Sequence, residues 1–163
     1  MRTVRDWLDE YSTSHVNRVN QKYHFVCIPL IAFSIVCALK AAPLGNAWLN
    51  PATVVMAAAL AYYLWLSWRL ALGVLLAFAG FYAGALGVES AAGDRLIWAA
   101  LGIFVVGWVG QFIGHAIEGT RPSFFKDLQF LLIGPLWELA HLYRSLGLSV
   151  DGAGAARHDI NHA

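Results

Sequence analysis

Three short stretches of this sequence set imidazole beside amide or carboxylate side chains at helical spacing: Asn20 with His24, Gln111 with His115 and Glu118, and Glu138 with His141. Residues three or four apart on a helix project from one face. Imidazole and carboxylate on one face is how helical bundles hold iron. Such donors suit a ferrous ion that keeps coordination positions open. His15 stands nine residues before His24, on the opposite side of an ideal helix, so the two converge only if the chain breaks between them. Asn17 and its neighbours can supply that break. The competing reading is of separate interfacial histidines, each satisfied by water or a carbonyl, with Glu118 and Arg121 as a surface ion pair. Ionisable groups at membrane depth are rarely idle, which keeps Glu118 and Glu138 as candidate ligands or catalytic groups. His158 and His162, in a Gly- and Ala-rich tail, are set aside.

Other chemistries have no footing. The sequence holds no serine-nucleophile elbow, no phosphate-cradling glycine loop and no Cys-x-x-Cys pair. Cys27 and Cys37 are ten residues apart, roughly 15 Å along one helix, too far to bridge. A net charge of +1 without a basic stripe argues against a nucleic-acid partner.

The elements that must position these residues are membrane helices. Of 163 residues 59% are hydrophobic and only 13% charged, and mean hydropathy is +0.58. Residues 3–14 carry Val4, Trp7, Leu8 and Tyr11 on one face, an interfacial helix that delivers His15 to the membrane surface. Apolar spans are expected over 25–39, 52–68, 70–88 and 96–117. They are separated by a breaker-rich connector (40–51), a tight turn at Arg69 and a connector at 89–95. Pro29 marks a kink or the first turn of span one. Gly73, Ala77, Gly80 and Gly84 form a small-residue stripe for close helix approach. Segment 124–146, broken by Gly134-Pro135, reads as an interfacial or re-entrant helix pair. The expected fold is thus an all-α integral membrane helical bundle of about four transmembrane helices with interfacial helices at both ends. Residues 1–148 form a single domain and 149–163 a flexible tail.

Four crossings return the chain to its starting side, so His24 at the entry of span one and His115 at the exit of span four share a compartment. That side collects Arg2, Arg5, Arg18, Lys22, Arg69, Arg121 and Lys126, against Lys40 and Arg95 opposite. The positive-inside rule makes it cytoplasmic. No cleaved leader is apparent, and a bacterial inner membrane is the expected location.

His15-x-Asn17-x-x-Asn20-x-x-x-His24 followed by Ile28-Pro29 resembles the small membrane 2-hydroxy fatty acid dioxygenases. So do Trp108-x-x-Gln111-Phe-x-Gly114-His115 followed by Glu118 and Arg121-Pro122, and Gly134-Pro135. The resemblance implies an Fe(II) enzyme that shortens 2-hydroxy fatty acids by one carbon with dioxygen, releasing carbon dioxide. It implies His15, His24 and His115 as metal ligands. The fourth is His141, with Glu118 or Glu138 as alternatives, because the fungal members carry glutamate where His141 stands and a longer histidine-to-glutamate spacing. Glu118, Gln111 and Asn20 would then serve catalysis or bind substrate. Arg18, Lys22 or Arg121 could attract its carboxylate, and membrane lipids surround the spans. A non-catalytic membrane protein and a zinc-dependent membrane lipid hydrolase are the alternatives.

Overall fold

The computed structural model describes residues 2–119 and 128–150, the side chains of 128 and 129 excepted. These residues form helices and no strand: α1 Val4–Thr13, α2 Arg18–Lys40, α3 Pro51–Leu66, α4 Trp68–Ala92, a 3-10 turn Gly93–Arg95, α5 Leu96–Glu118 and α6 Leu128–Ser145. Two described stretches, Arg18–Lys40 and Trp68–Glu118, are long and apolar enough to cross a membrane. The second spans 51 residues and is divided at Gly93, whose φ of 55° ends α4. At 16 residues α3 is shorter than the usual span.

Local chemistry explains where each helix starts. The Thr3 side chain accepts from the Asp6 N–H while the Asp6 carboxylate accepts from the Thr3 N–H, a capping box that opens α1. Val4, Leu8 and Tyr11 on its apolar face are buried. Asn17 caps α2 by accepting from the Val19 N–H at 2.8 Å, so the break between His15 and His24 falls at residues 14–17. Helix α2 therefore begins at Arg18, not at Phe25, and the polar stretch before the apolar run forms its first turns. Pro29 lies well inside α2, where it withholds a donor from the Phe25 carbonyl. The tight turn between α3 and α4 is Ser67 rather than Arg69. In an extended conformation it ends one helix and, through its hydroxyl, caps the next. Most of the expected connector 89–95 is helical, with only Gly93–Arg95 turning.

Helix α5 runs antiparallel to α2 in close contact. A Cβ added at Gly107 would meet Ile31, one at Gly110 would meet Cys27, and one at Gly114 would meet Asn20, the last at 2.5 Å. These glycines set the interhelical distance, as small residues do in membrane bundles. The stripe on α4 is used only in part: Gly73 packs under Leu139 and Tyr143 and Gly84 under Phe33, whereas Gly80 has no described atom within 4 Å of a Cβ position.

Helix α6 lies across the end of the bundle where α2 begins. Tyr63 donates to the Leu132 carbonyl and Tyr143 to the Arg69 carbonyl, while Gly134 packs against Ile28 and Tyr11. The expected break at Gly134-Pro135 is absent, for α6 continues through Pro135 as one helix and not a pair. A proline inside a helix forfeits a hydrogen bond. Here Ile133, Leu136, Trp137 and Ala140 on both sides of it are buried in one core with α1, α3 and α4, and that packing holds the helix together. Just beyond α6, Val150 is buried and its carbonyl accepts from Ser67 Oγ at 3.1 Å, so the chain stays docked past residue 148. Arg121, Pro122, Lys126, His158 and His162 lie outside the described residues.

Candidate metal centre

Three elements converge where α6 crosses the bundle. The link between α1 and α2 carries His15, the second turn of α2 carries His24, and the last turn of α5 carries His115. All three are buried, and one ligand atom from each lies within 4.8 Å of the others. The ring centroids of His24 and His115 are 5.0 Å apart, and those of His15 and His115 5.4 Å. Close packing of α2 on the α5 glycines puts His24 opposite His115. The chain reversal at residues 14–17 swings His15 in from the side.

The hydrogen bonds of two rings fix their tautomers. His15 Nδ1 is 2.7 Å from the Tyr11 carbonyl and His24 Nδ1 is 3.0 Å from the Asn20 carbonyl. A carbonyl only accepts, so each Nδ1 carries the proton and each Nε2 presents a lone pair. Those two Nε2 atoms face each other at 3.0 Å. Two lone pairs at that distance need a cation between or beside them, and a proton placed there would create an imidazolium. Burial opposes that charge, holding the His15 imidazole below the ordinary histidine value of 6.5. A metal ion meets the requirement without a further proton. Neutral imidazole nitrogens are common ligands of such an ion. The donor set therefore fits a metal, and the carbonyls on the far ring nitrogens orient the ligands as they do in established sites.

Around the three rings, Tyr11 stacks on His15 with centroids 4.1 Å apart and planes 3° from parallel. Trp137 stands 5.7 Å from His15 and donates from its indole to Ser12 Oγ at 2.9 Å. Neither aromatic was singled out by residue type. Spacing held the signal: Tyr11 precedes His15, and Trp137 precedes His141, by the four residues that let an Nδ1–H reach a carbonyl.

The other candidates fall into different environments. Asn20 and Gln111 are buried beside the histidines on α2 and α5, and Asn20 Oδ1 has no hydrogen-bond partner among the described residues. Glu118 accepts from Val16, Asn17 and Asn20. His141 is not in the converging group; its ring packs 4.0 Å from Trp137 and 6.0 Å from Phe25, with Nδ1 on the Trp137 carbonyl. Glu138 is buried on α6, its Oε1 lacks a partner among the described residues, and burial pushes its carboxyl up to about 9. It is held as a neutral acid.

Comparison with known proteins bears on the family. The family model described as 2-hydroxy-palmitic acid dioxygenase Mpo1-like matches residues 1–146. The 2-hydroxy-palmitic acid dioxygenase MPO1 of Saccharomyces cerevisiae is 28% identical over 160 residues, covering 96% of this chain and 89% of its relative. No solved structure matches.

Proposed function

The chain belongs to the 2-hydroxy-palmitic acid dioxygenase Mpo1-like family, and from that premise we propose that it is a membrane enzyme which shortens 2-hydroxy fatty acids by one carbon. One 2-hydroxy acid and one dioxygen give the acid shorter by one carbon, carbon dioxide and water, a balance that needs no external reductant. His15, His24 and His115 would hold Fe(II), which supplies the one-electron chemistry that lets dioxygen react with a closed-shell substrate. The observation that carries the proposal is the pair of buried Nε2 lone pairs facing each other at 3.0 Å, with His115 beside them.

The remaining roles belong to the protein. The i−4 carbonyls hold each Nδ1 proton away from the reacting side of His15 and His24. Asn20 Oδ1, which has no partner among the described residues, is an acceptor for the substrate hydroxyl or carboxylic acid, and buried Gln111 can bind an oxygen of the same group. Tyr11 and Trp137 exclude water from the His15 side. We further infer that α2 to α5 make four crossings, so that the histidines face the cytoplasm and the acyl chain lies among the spans.

Purified full-length protein loaded anaerobically with Fe(II) is to be assayed on 2-hydroxypalmitate and on palmitate. Equal amounts of dioxygen consumed, carbon dioxide released and C15 acid formed, from the 2-hydroxy substrate alone, are the expected result. Zinc in place of iron with ester hydrolysis would instead identify a lipid hydrolase, since histidines hold that metal as well. Absence of any bound metal would leave a non-catalytic membrane protein.

A further inference from the structure

Glu118 is the last residue of α5, where a carboxylate faces the negative end of its own helix dipole, a placement that costs stability. Its side chain turns instead to the start of α2. Oε1 accepts from the backbone N–H groups of Val16 at 2.9 Å and Asn17 at 3.1 Å. Oε2 accepts from the Asn17 N–H at 3.0 Å and from Asn20 Nδ2 at 2.8 Å. The N–H groups that precede a helix have no partner within it and favour an anion, so the start of α2 offsets what the end of α5 costs. Three donors make these contacts, the Asn17 N–H being shared between the two oxygens, and together they hold both oxygens of the carboxylate toward the start of α2.

The residues so held are the ones that carry His15. Val16 and Asn17 follow it directly, and Gln21 Nε2 fixes the His15 carbonyl at 2.7 Å from the other side. His115 lies three residues before Glu118 on the same helix. One carboxylate thus ties the segment bearing the first histidine to the turn bearing the third.

We propose that Glu118 is a positioning residue: its carboxylate latches the His15 segment to the end of α5, bringing His15 into register with His24 and His115 without touching the ion. The proposal rests on the metal-centre reading and assigns Glu118 a place outside the coordination sphere.

Two measurements on purified full-length protein test it. Co(II) serves as the metal probe, because its absorption reports ligand number. Glu118→Ala is expected to weaken Co(II) binding about 10- to 100-fold, the usual effect of losing a group that orients a ligand. Glu118→Gln, which keeps one acceptor oxygen, should fall between it and wild type. The double variant Glu118→Ala/His15→Ala should bind no more weakly than His15→Ala alone, since the latch then has nothing to position. A double variant weaker by the full Glu118 factor would mark an independent ligand and overturn the proposal. In the second measurement, on metal-free protein, Glu118→Ala should speed hydrogen exchange at Val16 and Asn17 while residues 25–39 of α2 keep their protection. Unchanged exchange at those two amides overturns the latch. Wild-type protein that takes up no Co(II) overturns the metal reading, and the exchange result still decides the latch.

Discussion

At the far end of α2, Lys40 donates to both carboxylate oxygens of Glu89 at 2.9 Å, and Asn50 donates to the Asn46 carbonyl and to Tyr82 Oη. At the near end, two imidazoles present lone pairs to each other and both Asn20 Oδ1 and Glu138 Oε1 lack partners among the described residues. Each cluster sits at a polar limit of α2, the far one joining it to α3 and α4 and the near one to α5 and α6. In the far cluster the buried donors and acceptors match, and of the polar groups that line its cavity of about 290 Å³, Lys40, Asn46, Asn50 and Glu89 are engaged with protein while Asp94 is exposed. Burying unmatched polar groups is costly. Their concentration at one end marks the place where something from outside completes the structure.

The largest effect that could break this contrast comes from removing one of the three converging imidazoles. His24 is nearly fully buried and its Nε2 faces His15, so His24→Ala should abolish stoichiometric metal binding, read by metal analysis of the purified protein. Membrane insertion should survive, because the apolar run that follows is unchanged. Retained stoichiometric iron in both His24→Ala and His115→Ala would remove the difference between the two ends.

Gly114 sharpens the contrast from the packing side. A Cβ there would lie 2.5 Å from Asn20 Oδ1, and Asn20 cannot swing away without releasing Glu118. Gly114→Ala should destabilise the protein by about 1–3 kcal/mol. It should also weaken Co(II) binding several-fold by separating His24 from His115. Gly102→Ala, on the same helix with no described atom within 4 Å of the added carbon, is the control that should bind normally.

These residues also indicate how much of the molecule was legible beforehand. The pairing of His24 with His115 was expected from four apolar runs, an even number of which returns the chain to its starting end, and the two rings do meet. The need for a break before α2 followed from the nine-residue interval and helical geometry, and Asn17 has the side chain of a helix cap. Continuity of α6 did not follow: proline reads locally as a breaker, and only burial of Trp137 and Leu136 against distant α1 and α3 overrides it. The start of α2 lies outside the apolar run for a related reason. The apolar run marked only residues 25–39, whereas the polar residues Arg18–His24 form the first turns of the helix, and Asn20 and His24 are among its most buried side chains. The hydrogen-bond partners of Glu118 lie about a hundred positions away, beyond any local pattern.

Glu138 gives a smaller effect, separable by pH. Its carboxyl is neutral in the folded protein up to about 9, whereas in the unfolded chain it ionises above its ordinary value of 4.5. Between those values the native state holds the extra proton, so its contribution to stability is complete below 4.5 and is lost as pH rises toward 9. Glu138→Gln, neutral throughout, should flatten that decline in an unfolding series from pH 5 to 9. A slope identical to wild type would place Glu138 among satisfied groups and weaken the case that the near end is distinctive.

The smallest expected effect on the metal comes from the far end. The Lys40 side chain is only 10% exposed, so Lys40→Met strands the Glu89 carboxylate in a partly buried site, and some loss of stability follows. Changing both partners, Lys40→Met with Glu89→Gln, removes the stranded charge and should recover much of that loss, the behaviour of a matched pair serving structure alone. Co(II) affinity should be unchanged in the single and the double variant. The two clusters sit at opposite ends of α2, about 24 Å apart for the 16 residues from His24 to Lys40. Among the described residues, no buried unmatched group at the far end gives an ion any reason to respond. A metal affinity that tracked the Lys40 pair would mean that the ends are coupled through α2, and the contrast between a structural cluster and a functional one would have to be redrawn as one system.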